Sequence, residues 1–481
     1  MSFGRTALTA SLALALAACG GDDGAPGNGA IAGGGGGGGT PTPTPAAQCS
    51  VLDRQQWSLA VINEWYLFPD LLDTSVDPAG FSTVQSYIDA LVAPARAQGS
   101  DRFFSFITSK SEEDALIASG SSAGFGVRLA YDTTNNRVFV LDAFENAPAL
   151  QSGIDRGTEL LAVGTSSTNL QTVFSLMSSG GPQAVINALG PSEAGVTRVL
   201  RFEPVTGPIV ESSITKTDFA LDPVSDRFGV SIIDDGGKKV GYLNLRTFIV
   251  SSAGDDLRDA FGQFQAEGVT ELIIDLRYNG GGLVSVADLM GDLLGANNVG
   301  QVFSQTVLRD SKSSENSTEL FQSEPNAITP TKIAFIGRGG TASASELVIN
   351  SMIPYLGNNM ALVGTDTFGK PVGQFGFDRD VCDDRLRVVT FKTDNADGQG
   401  DYFNGLADFV PNTCQANDDI FVPLGDPSEA SVASALDFLA GRSCTAIASS
   451  ASRTTQGVRG QQLLLQPDKP NAAQYEIPGL F

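Results

Sequence analysis

The sequence predicts a mixed α/β protein of several domains, and three observations lead to this prediction. Apolar residues recur at helical spacing up to about residue 120, short strands bounded by glycine turns follow, and strands alternate with helices from about residue 206. With 481 residues, the chain is long enough for two or three domains with their own cores. We therefore expect a helical N-terminal domain over 49–120, a β-rich domain over 121–205, an α/β core over 206–445 and a C-terminal tail over 446–481.

The composition excludes several classes of function. The chain has 30 basic and 54 acidic residues, a formal net charge of -24, which repels nucleic acid. It contains no histidine, the usual general base near neutral pH and the commonest metal ligand. Hydrolases with Ser–His–Asp or Cys–His machinery are therefore excluded, and catalytic zinc is disfavoured. We expect no metal and no cofactor, and any catalytic base must be Lys, Asp, Glu or an N-terminal amine.

Residues 1–18 have the pattern of a secretory signal peptide, with Arg5 before an apolar run that is too short to span a bilayer. The run ends in L-A-A-C, which resembles the bacterial lipobox and implies lipidation of Cys19. Residues 19–48 are rich in Gly, Thr and Pro and predict a flexible tether. We expect a periplasm-facing lipoprotein of the cell envelope. Because Gly20 and not Asp follows the cysteine, the outer membrane is favoured.

Four cysteines remain after the tether, at Cys49, Cys382, Cys414 and Cys444. An even number in an oxidising compartment indicates disulfides, with three possible pairings. A zinc site would need all four, and no C-x-x-C pair is present. On grounds of sequence proximity we favour Cys382–Cys414, which leaves Cys49–Cys444.

The first folded region has a helical pattern. Trp57, Val61 and Trp65 recur at intervals of four, and Tyr87 and Leu91 repeat that spacing. These residues predict the core of a small helical domain.

The β-rich region begins with Gly124, Phe125, Gly126 and Val127, followed by strand-like runs and glycine turns. This order of parts resembles a PDZ domain. The resemblance implies that the backbone N–H groups of these four residues bind the terminal carboxylate of a peptide, which adds a strand to the sheet edge.

The α/β core places polar residues after three predicted strands. A buried-type strand at 272–277 leads into Gly280, Gly281 and Gly282, and a strand at 332–336 leads into Ser345. A third strand, at 360–363, is followed by Lys370. These residues are expected to meet at one edge of the sheet.

Ser345 and Lys370 are the predicted catalytic pair. Ser345 opens a helix, whose N-terminus favours developing negative charge. A lysine acts as a base only when neutral, so desolvation by apolar neighbours must lower its pKa. Gln374 can orient the amine without adding charge. The amides of Gly280, Gly281 and Glu346 are the expected oxyanion donors.

Three competing motifs fail on their own chemistry. The G-x-S-x-G run at 120–124 needs a histidine partner. The P-loop-like run at 364–370 is followed by Pro371 where Ser or Thr would bind magnesium. The S-x-x-K run at 213–216 has no S-D-N or K-T-G partner downstream.

The motifs D-L-R-Y-N-G-G-G, T-A-S-A-S-E and F-G-K-P-V-G-Q resemble those of the C-terminal processing (tail-specific) peptidases of family S41. The resemblance covers about Cys49 to Cys444. It implies a protease core of the ClpP/crotonase-like fold, with Ser345 as nucleophile, Lys370 as base and Gln374 as its orienter. Pro371 departs from the family pattern, where a small residue commonly follows the lysine.

The resemblance implies a serine endopeptidase that cleaves exposed or partly unfolded envelope polypeptides and recognises apolar C-termini through the PDZ-like domain. Its expected partners are such polypeptides and, through the lipid anchor, the membrane. The alternative from another class is a catalytically inactive PDZ lipoprotein that binds peptides as a scaffold. Hydrolysis of an unstructured protein separates the two.

Overall fold

The computed structural model describes residues 49–448 and 463–481. The predicted signal peptide, the tether and the lipidation site at Cys19 lie outside the described residues. Within the described part of the chain, no helix is both long and apolar enough to cross a membrane.

The described chain forms α-helices and β-strands in several layers. The helices are α1 (Val51–Trp65), α2 (Val84–Leu91), α3 (Ala93–Ala97), α4 (Lys110–Ser119), α5 (Pro148–Gln151), α6 (Val173–Leu189), α7 (Ala253–Ala266), α8 (Val284–Leu294), α9 (Ala344–Leu356), α10 (Ala430–Leu439) and α11 (Ala472–Glu476). The strands are β1 (Phe106–Ser109), β2 (Ser121–Gly124), β3 (Val127–Asp132), β4 (Arg137–Ala143), β5 (Glu159–Gly164), β6 (Gln171–Thr172), β7 (Thr197–Glu203), β8 (Val210–Thr215), β9 (Thr217–Ala220), β10 (Val230–Asp235), β11 (Lys238–Asn244), β12 (Glu271–Asp275), β13 (Val302–Leu308), β14 (Ser317–Leu320), β15 (Lys332–Gly337), β16 (Met360–Gly364), β17 (Val372–Arg379), β18 (Asp384–Asp394), β19 (Thr413–Gln415) and β20 (Leu463–Leu464). This mixed α/β architecture confirms the predicted fold class.

The central sheet has six strands in the order β10-β11-β12-β15-β16-β19. All neighbours from β11 to β19 are parallel, and β10 pairs antiparallel with β11. Leu272 and Ile274 of β12 pack under α7, α8 and α9, whereas Ile273 faces α10. Because both faces of the sheet are covered, β12 is a continuous buried run and does not alternate apolar with polar residues.

The N-terminal helices do not form a separate core. Ile62, Tyr87 and Leu91 pack against Leu386 and Val388 of β18 in one apolar cluster. Strand β1 also pairs with β18, in a five-stranded sheet that includes β13, β14 and β17. The helical region is therefore built onto strands that lie more than 270 residues later, a pairing that local periodicity does not reveal.

The β-rich unit is a seven-stranded sheet in the order β20-β3-β4-β5-β7-β8, with β6 beside β5. Its apolar cluster includes residues of α6, such as Val185 and Leu189. The sheet extends beyond the expected boundary at residue 205, because β8 pairs with β7 along its length. It also takes β20 from the C-terminal tail, which pairs antiparallel with β3.

The predicted disulfide pairing is wrong. The structure joins Cys49 to Cys382 and Cys414 to Cys444. The first bond forms because the start of α1 lies against the β17–β18 hairpin, where Arg54 pairs with Asp384. The second forms because residues 445–447 run beside β19, as the bond from the Gln415 N–H to the Thr445 carbonyl shows at 2.6 Å. Cys414 and Cys444 are also closer in sequence, 30 residues apart, than the pair we favoured.

We expect proteolytic digestion under non-reducing conditions to release the Cys49 peptide linked to the Cys382 peptide, and the Cys414 peptide linked to the Cys444 peptide. Mass spectrometry before and after reduction measures this, with alkylation before digestion as the control against exchange. A Cys382–Cys414 peptide would contradict the observed pairing.

Candidate active site

The carboxyl ends of β12, β15 and β16 bring three loops together at one edge of the central sheet. The glycine turn (Gly280–Gly282) follows β12, the serine turn (Thr341–Ser345) follows β15, and the lysine loop (Thr365–Lys370) follows β16. Parallel strands end at the same edge, so this convergence is a consequence of the strand order.

The serine turn contains a strained residue, Ser343. Its backbone has φ of 56° and ψ of -117°, outside the region that non-glycine residues normally adopt. Backbone strain of this kind persists only where the surrounding structure holds it in place. It is frequent at functional sites. Ser343 is the residue before α9 and its side chain is partly exposed.

Ser345 does not present its hydroxyl to solvent. The residue is 0% exposed, and its Oγ donates a hydrogen bond of 3.1 Å to the carbonyl oxygen of Asn279. Within the described residues, no hydrogen bond joins Ser345 to Lys370. The sequence-based choice of Ser345 as nucleophile therefore conflicts with this geometry: the helix begins at Ala344, so Ser345 lies inside the first turn and faces the protein interior.

The glycine turn lies directly against the serine turn. A Cβ added to Gly281 would lie 2.7 Å from the Cβ of Ser343 and 2.9 Å from the backbone nitrogen of Ala344. The N–H of Gly281 donates to Oδ1 of Asn279 at 2.9 Å, so this predicted oxyanion donor is already bonded. Gly280 remains at the surface of the adjoining cavity.

Lys370 lies where its charge is disfavoured. Burial lowers the pKa of the Lys370 ammonium, and the carboxylates of Glu476 and Asp101 offset part of this effect. Its Nζ donates to Oε1 of Gln374 at 2.8 Å and lies 4.9 Å from the centre of the Phe104 ring.

Gln374 is fixed in turn by the N-terminal region. Its Nε2 donates to the carbonyl oxygen of Phe104 at 2.6 Å. This bond orients the amide so that its oxygen, and not its nitrogen, faces the lysine.

Glu346 joins the serine turn to the lysine loop through its side chain. Oε1 accepts from the hydroxyl of Thr367 at 2.5 Å and from the N–H of Gly369 at 2.7 Å, and Oε2 accepts from the N–H of Lys370 at 2.7 Å and of Ser343 at 3.1 Å. Burial raises the pKa of the Glu346 carboxyl to about 7, although these four hydrogen bonds oppose the shift.

From the sequence, Glu346 is predicted only as a donor of its backbone N–H. The signal for its side-chain position is present in the sequence, because Ser343 and Glu346 have the S-x-x-E spacing that predicts a helix beginning just after Ser343. The same signal would have indicated that Ser343 precedes the helix and that Ser345 lies within its first turn.

A cavity of about 840 Å³ adjoins the three loops. Its wall includes Gly280, Ala342, Phe368 and Lys370, together with residues from the N-terminal region and the C-terminal tail. Within residues 49–448 and 463–481, no group of His, Cys, Asp and Glu side chains could hold a metal ion.

The peptide loop, residues Gly124–Val127, lies at the start of β3. The N–H groups of Gly126 and Val127 both donate to the carbonyl oxygen of Phe481, at 2.9 and 3.1 Å. Gly124 passes close to the same residue, since an added Cβ would lie 2.8 Å from its carbonyl carbon. The side chain of Phe125 is buried in the apolar cluster of the β-rich unit.

One further contact links the β-rich unit to the glycine turn. The buried guanidinium of Arg128 on β3 donates to the carbonyl oxygen of Tyr278 at 2.8 Å. Tyr278 precedes Asn279 and the glycine turn, and it has a positive φ of 66°. Sequence reasoning missed this arginine, since an Arg inside a strand pattern ordinarily marks an exposed position.

Part of the chain is similar to known peptidases. Residues 239–406 match the family model described as peptidase family S41. The carboxyl-terminal-processing protease of Picosynechococcus sp. is 24% identical over 264 residues, 55% of this chain and 58% of that protein. The chloroplastic carboxyl-terminal-processing peptidase 2 of Arabidopsis thaliana is 26% identical over 259 residues, 52% of this chain and 46% of that protein. The chain thus spans about half the length of these curated relatives.

Among solved structures, a Bacteroides fragilis protein assigned to the S41 proteases superposes with a TM-score of 0.62 at 25% identity. The superposition covers 80% of this chain and 97% of that chain. The likeness therefore extends well beyond the segment matched by the family model.

Removal of the Glu346 carboxylate should destabilise the fold. In Glu346→Ala, the two loops lose their shared acceptor and several donors are left unpaired, which we expect to lower the free energy of unfolding by about 3 kcal/mol or more. Urea denaturation measures this change. Glu315→Ala is the matched control, since Glu315 is exposed. Equal unfolding midpoints for the two variants would show that Glu346 does not hold the loops together.

Proposed function

Because residues 239–406 form a peptidase family S41 domain, we propose that the chain is a serine endopeptidase that cleaves polypeptides at the cavity beside Lys370. The observation that carries the proposal is the lysine itself. Burial favours its neutral form, and the Glu346 carboxylate binds its backbone N–H and that of Ser343. The Glu346 carboxylate thus binds both the backbone of Lys370, the proposed base, and the turn that carries Ser343.

We assign the nucleophile to Ser343 and not to Ser345, the serine chosen from the sequence. Support comes from the burial of Ser345 and from its bond to Asn279. Ser343 lies on a strained turn between a strand and a helix, the kind of turn that lets a hydroxyl project toward a substrate.

Lys370 is the proposed general base. Its neutral amine takes the proton of the Ser343 hydroxyl as Oγ bonds to the carbonyl carbon of the scissile peptide. The resulting ammonium then returns a proton to the leaving amine. Gln374 acts as a positioning residue, because it holds Nζ without supplying a charge that would stabilise the ammonium.

The proposed oxyanion donors are the N–H groups of Gly280 and of Ala344, the residue after Ser343. Support comes from the close approach of the glycine turn to Ala344 and from the position of Gly280 on the cavity wall. Loss of one such donor typically slows acyl transfer about a hundredfold to a thousandfold.

The proposed substrates are exposed or partly unfolded polypeptides of the cell envelope, with apolar C-termini recognised by the PDZ-like unit. Support for recognition comes from the two N–H groups of the peptide loop, which converge on one oxygen. The lipobox-like motif at Cys19 supports a lipid-anchored, periplasm-facing location, which we propose at the outer membrane. An oxidising compartment is consistent with two disulfides.

Substitution of the two serines separates the assignments. We expect Ser343→Ala to reduce hydrolysis of casein by at least about a thousandfold, because it removes the nucleophile. We expect Ser345→Ala to change the rate by less than about tenfold, because it removes one buried hydrogen bond. The measurement is release of soluble peptides without added metal. The opposite ranking would restore Ser345 as nucleophile, and no cleavage by the unmodified protein would favour a peptide-binding scaffold.

The pH dependence should report Lys370. Because burial lowers the pKa of its ammonium, hydrolysis should rise with pH through a midpoint below 10.5, the ordinary value for lysine. Lys370→Arg should abolish activity at every pH, since a guanidinium stays protonated. Lys239→Arg, at an exposed ion pair with Glu267, is the control. A profile that is unchanged in Lys370→Arg would exclude lysine as the base.

A further inference from the structure

The C-terminal segment, residues 463–481, pairs with strand β3 of the β-rich unit at both of its ends. The N–H of Phe481 donates to the carbonyl oxygen of Val127 at 2.9 Å, and the N–H of Leu129 donates to the carbonyl oxygen of Gly479 at 2.8 Å. Leu480 is paired opposite Arg128 in an antiparallel bridge. Main-chain bonds of this kind hold an extended peptide that has been added to the edge of a sheet.

Phe481 occupies the peptide loop. Its carbonyl oxygen accepts from the N–H groups of Gly126 and Val127, an arrangement suited to the carboxylate of a peptide end. Its side chain is 2% exposed and packs in the same apolar cluster as Phe125 and Leu189. The apolar cluster beside the peptide loop therefore encloses a whole phenylalanine side chain.

Upstream of Phe481, the same segment passes the glycine turn. A Cβ added to Gly280 would lie 2.8 Å from the carbonyl oxygen of Glu476 and 3.0 Å from the ring of Pro478. Tyr475 and Pro478 also line the cavity that contains Lys370. The segment thus runs from the peptide loop to the glycine turn, and a substrate held by its C-terminus would need the same path.

We propose that residues 475–481 are an intramolecular ligand that competes with substrate for the groove along β3 and the cavity beside Lys370. This inference rests on the proposed function and names the regulation of that site. A tethered segment has an effective concentration in the millimolar range, so an incoming chain binds only when it displaces that segment.

The first test measures binding in a full-length protein that carries Ser343→Ala and Ser345→Ala, so that cleavage does not interfere. The probe is the fluorescently labelled peptide Ile-Pro-Gly-Leu-Phe with a free carboxylate, and the readout is fluorescence anisotropy. Phe481→Asp places a charge in the apolar pocket and should release the segment. We expect this variant to bind the probe at least tenfold more tightly. Unchanged affinity would overturn the inference.

Three controls establish that the groove is responsible. Phe421→Asp introduces the same charge at an exposed phenylalanine and should leave probe affinity unchanged. Gly124→Ala, added to Phe481→Asp, should abolish the gain, because its Cβ would lie where the end of the peptide passes. Tight binding in that combined variant would show that the probe binds elsewhere. The same peptide ending in an amide should bind at least tenfold more weakly.

The second test measures casein hydrolysis with both serines intact. We expect Phe481→Asp to hydrolyse casein at least fivefold faster than the unmodified chain, and circular dichroism checks that both remain folded. If Phe481→Asp gains probe affinity but no form cleaves casein, the proposed function fails and the intramolecular ligand stands. If casein is cleaved equally and probe affinity does not change, the intramolecular ligand fails and the proposed function stands.

Discussion

The arrangement of the serine turn and the lysine loop depends on the buried carboxylate of Glu346. It accepts hydrogen bonds from both the serine turn and the lysine loop, which follow different strands of the central sheet. A carboxylate in this position is costly to desolvate, and its pKa is raised to about 7 for that reason. The cost is tolerated because four donors surround it, and the strained backbone of Ser343 is held by one of them. The same residue therefore accounts for both the strain and the proximity of the two loops.

The absence of histidine determines the kind of chemistry that this sheet edge can support. A lysine must lose its proton to act as a base, and solvent must therefore be kept from it. Around Lys370, the surrounding groups come from distant parts of the chain: the Phe104 ring, the Gln374 amide and the carbonyl that orients Gln374. The N-terminal region that supplies Phe104 shares its apolar cluster with strand β18.

Strand β3 contacts both the C-terminal segment and the backbone beside the glycine turn. The N–H groups of Gly126 and Val127 bind the carbonyl oxygen of Phe481, and Arg128 donates to the backbone just before the glycine turn. The C-terminal segment follows both features, since it pairs with β3 at Phe481 and contacts Gly280 at Glu476. The end of helix α11 and the turn after it thus connect the peptide loop with the glycine turn.

The sequence by itself determined the α/β class, the three strands that lead into the glycine turn, the serine turn and the lysine loop, and the exclusion of histidine chemistry. These properties are local, since they follow from periodicity, composition and short motifs. Only the tertiary structure decided which serine is buried, which cysteines are bonded and where the C-terminal segment lies. Each of these depends on contacts between residues far apart in the chain or on the position of a residue relative to the start of a helix. Ser343 and Ser345 are two positions apart, and the start of helix α9 at Ala344 leaves Ser343 partly exposed and buries Ser345.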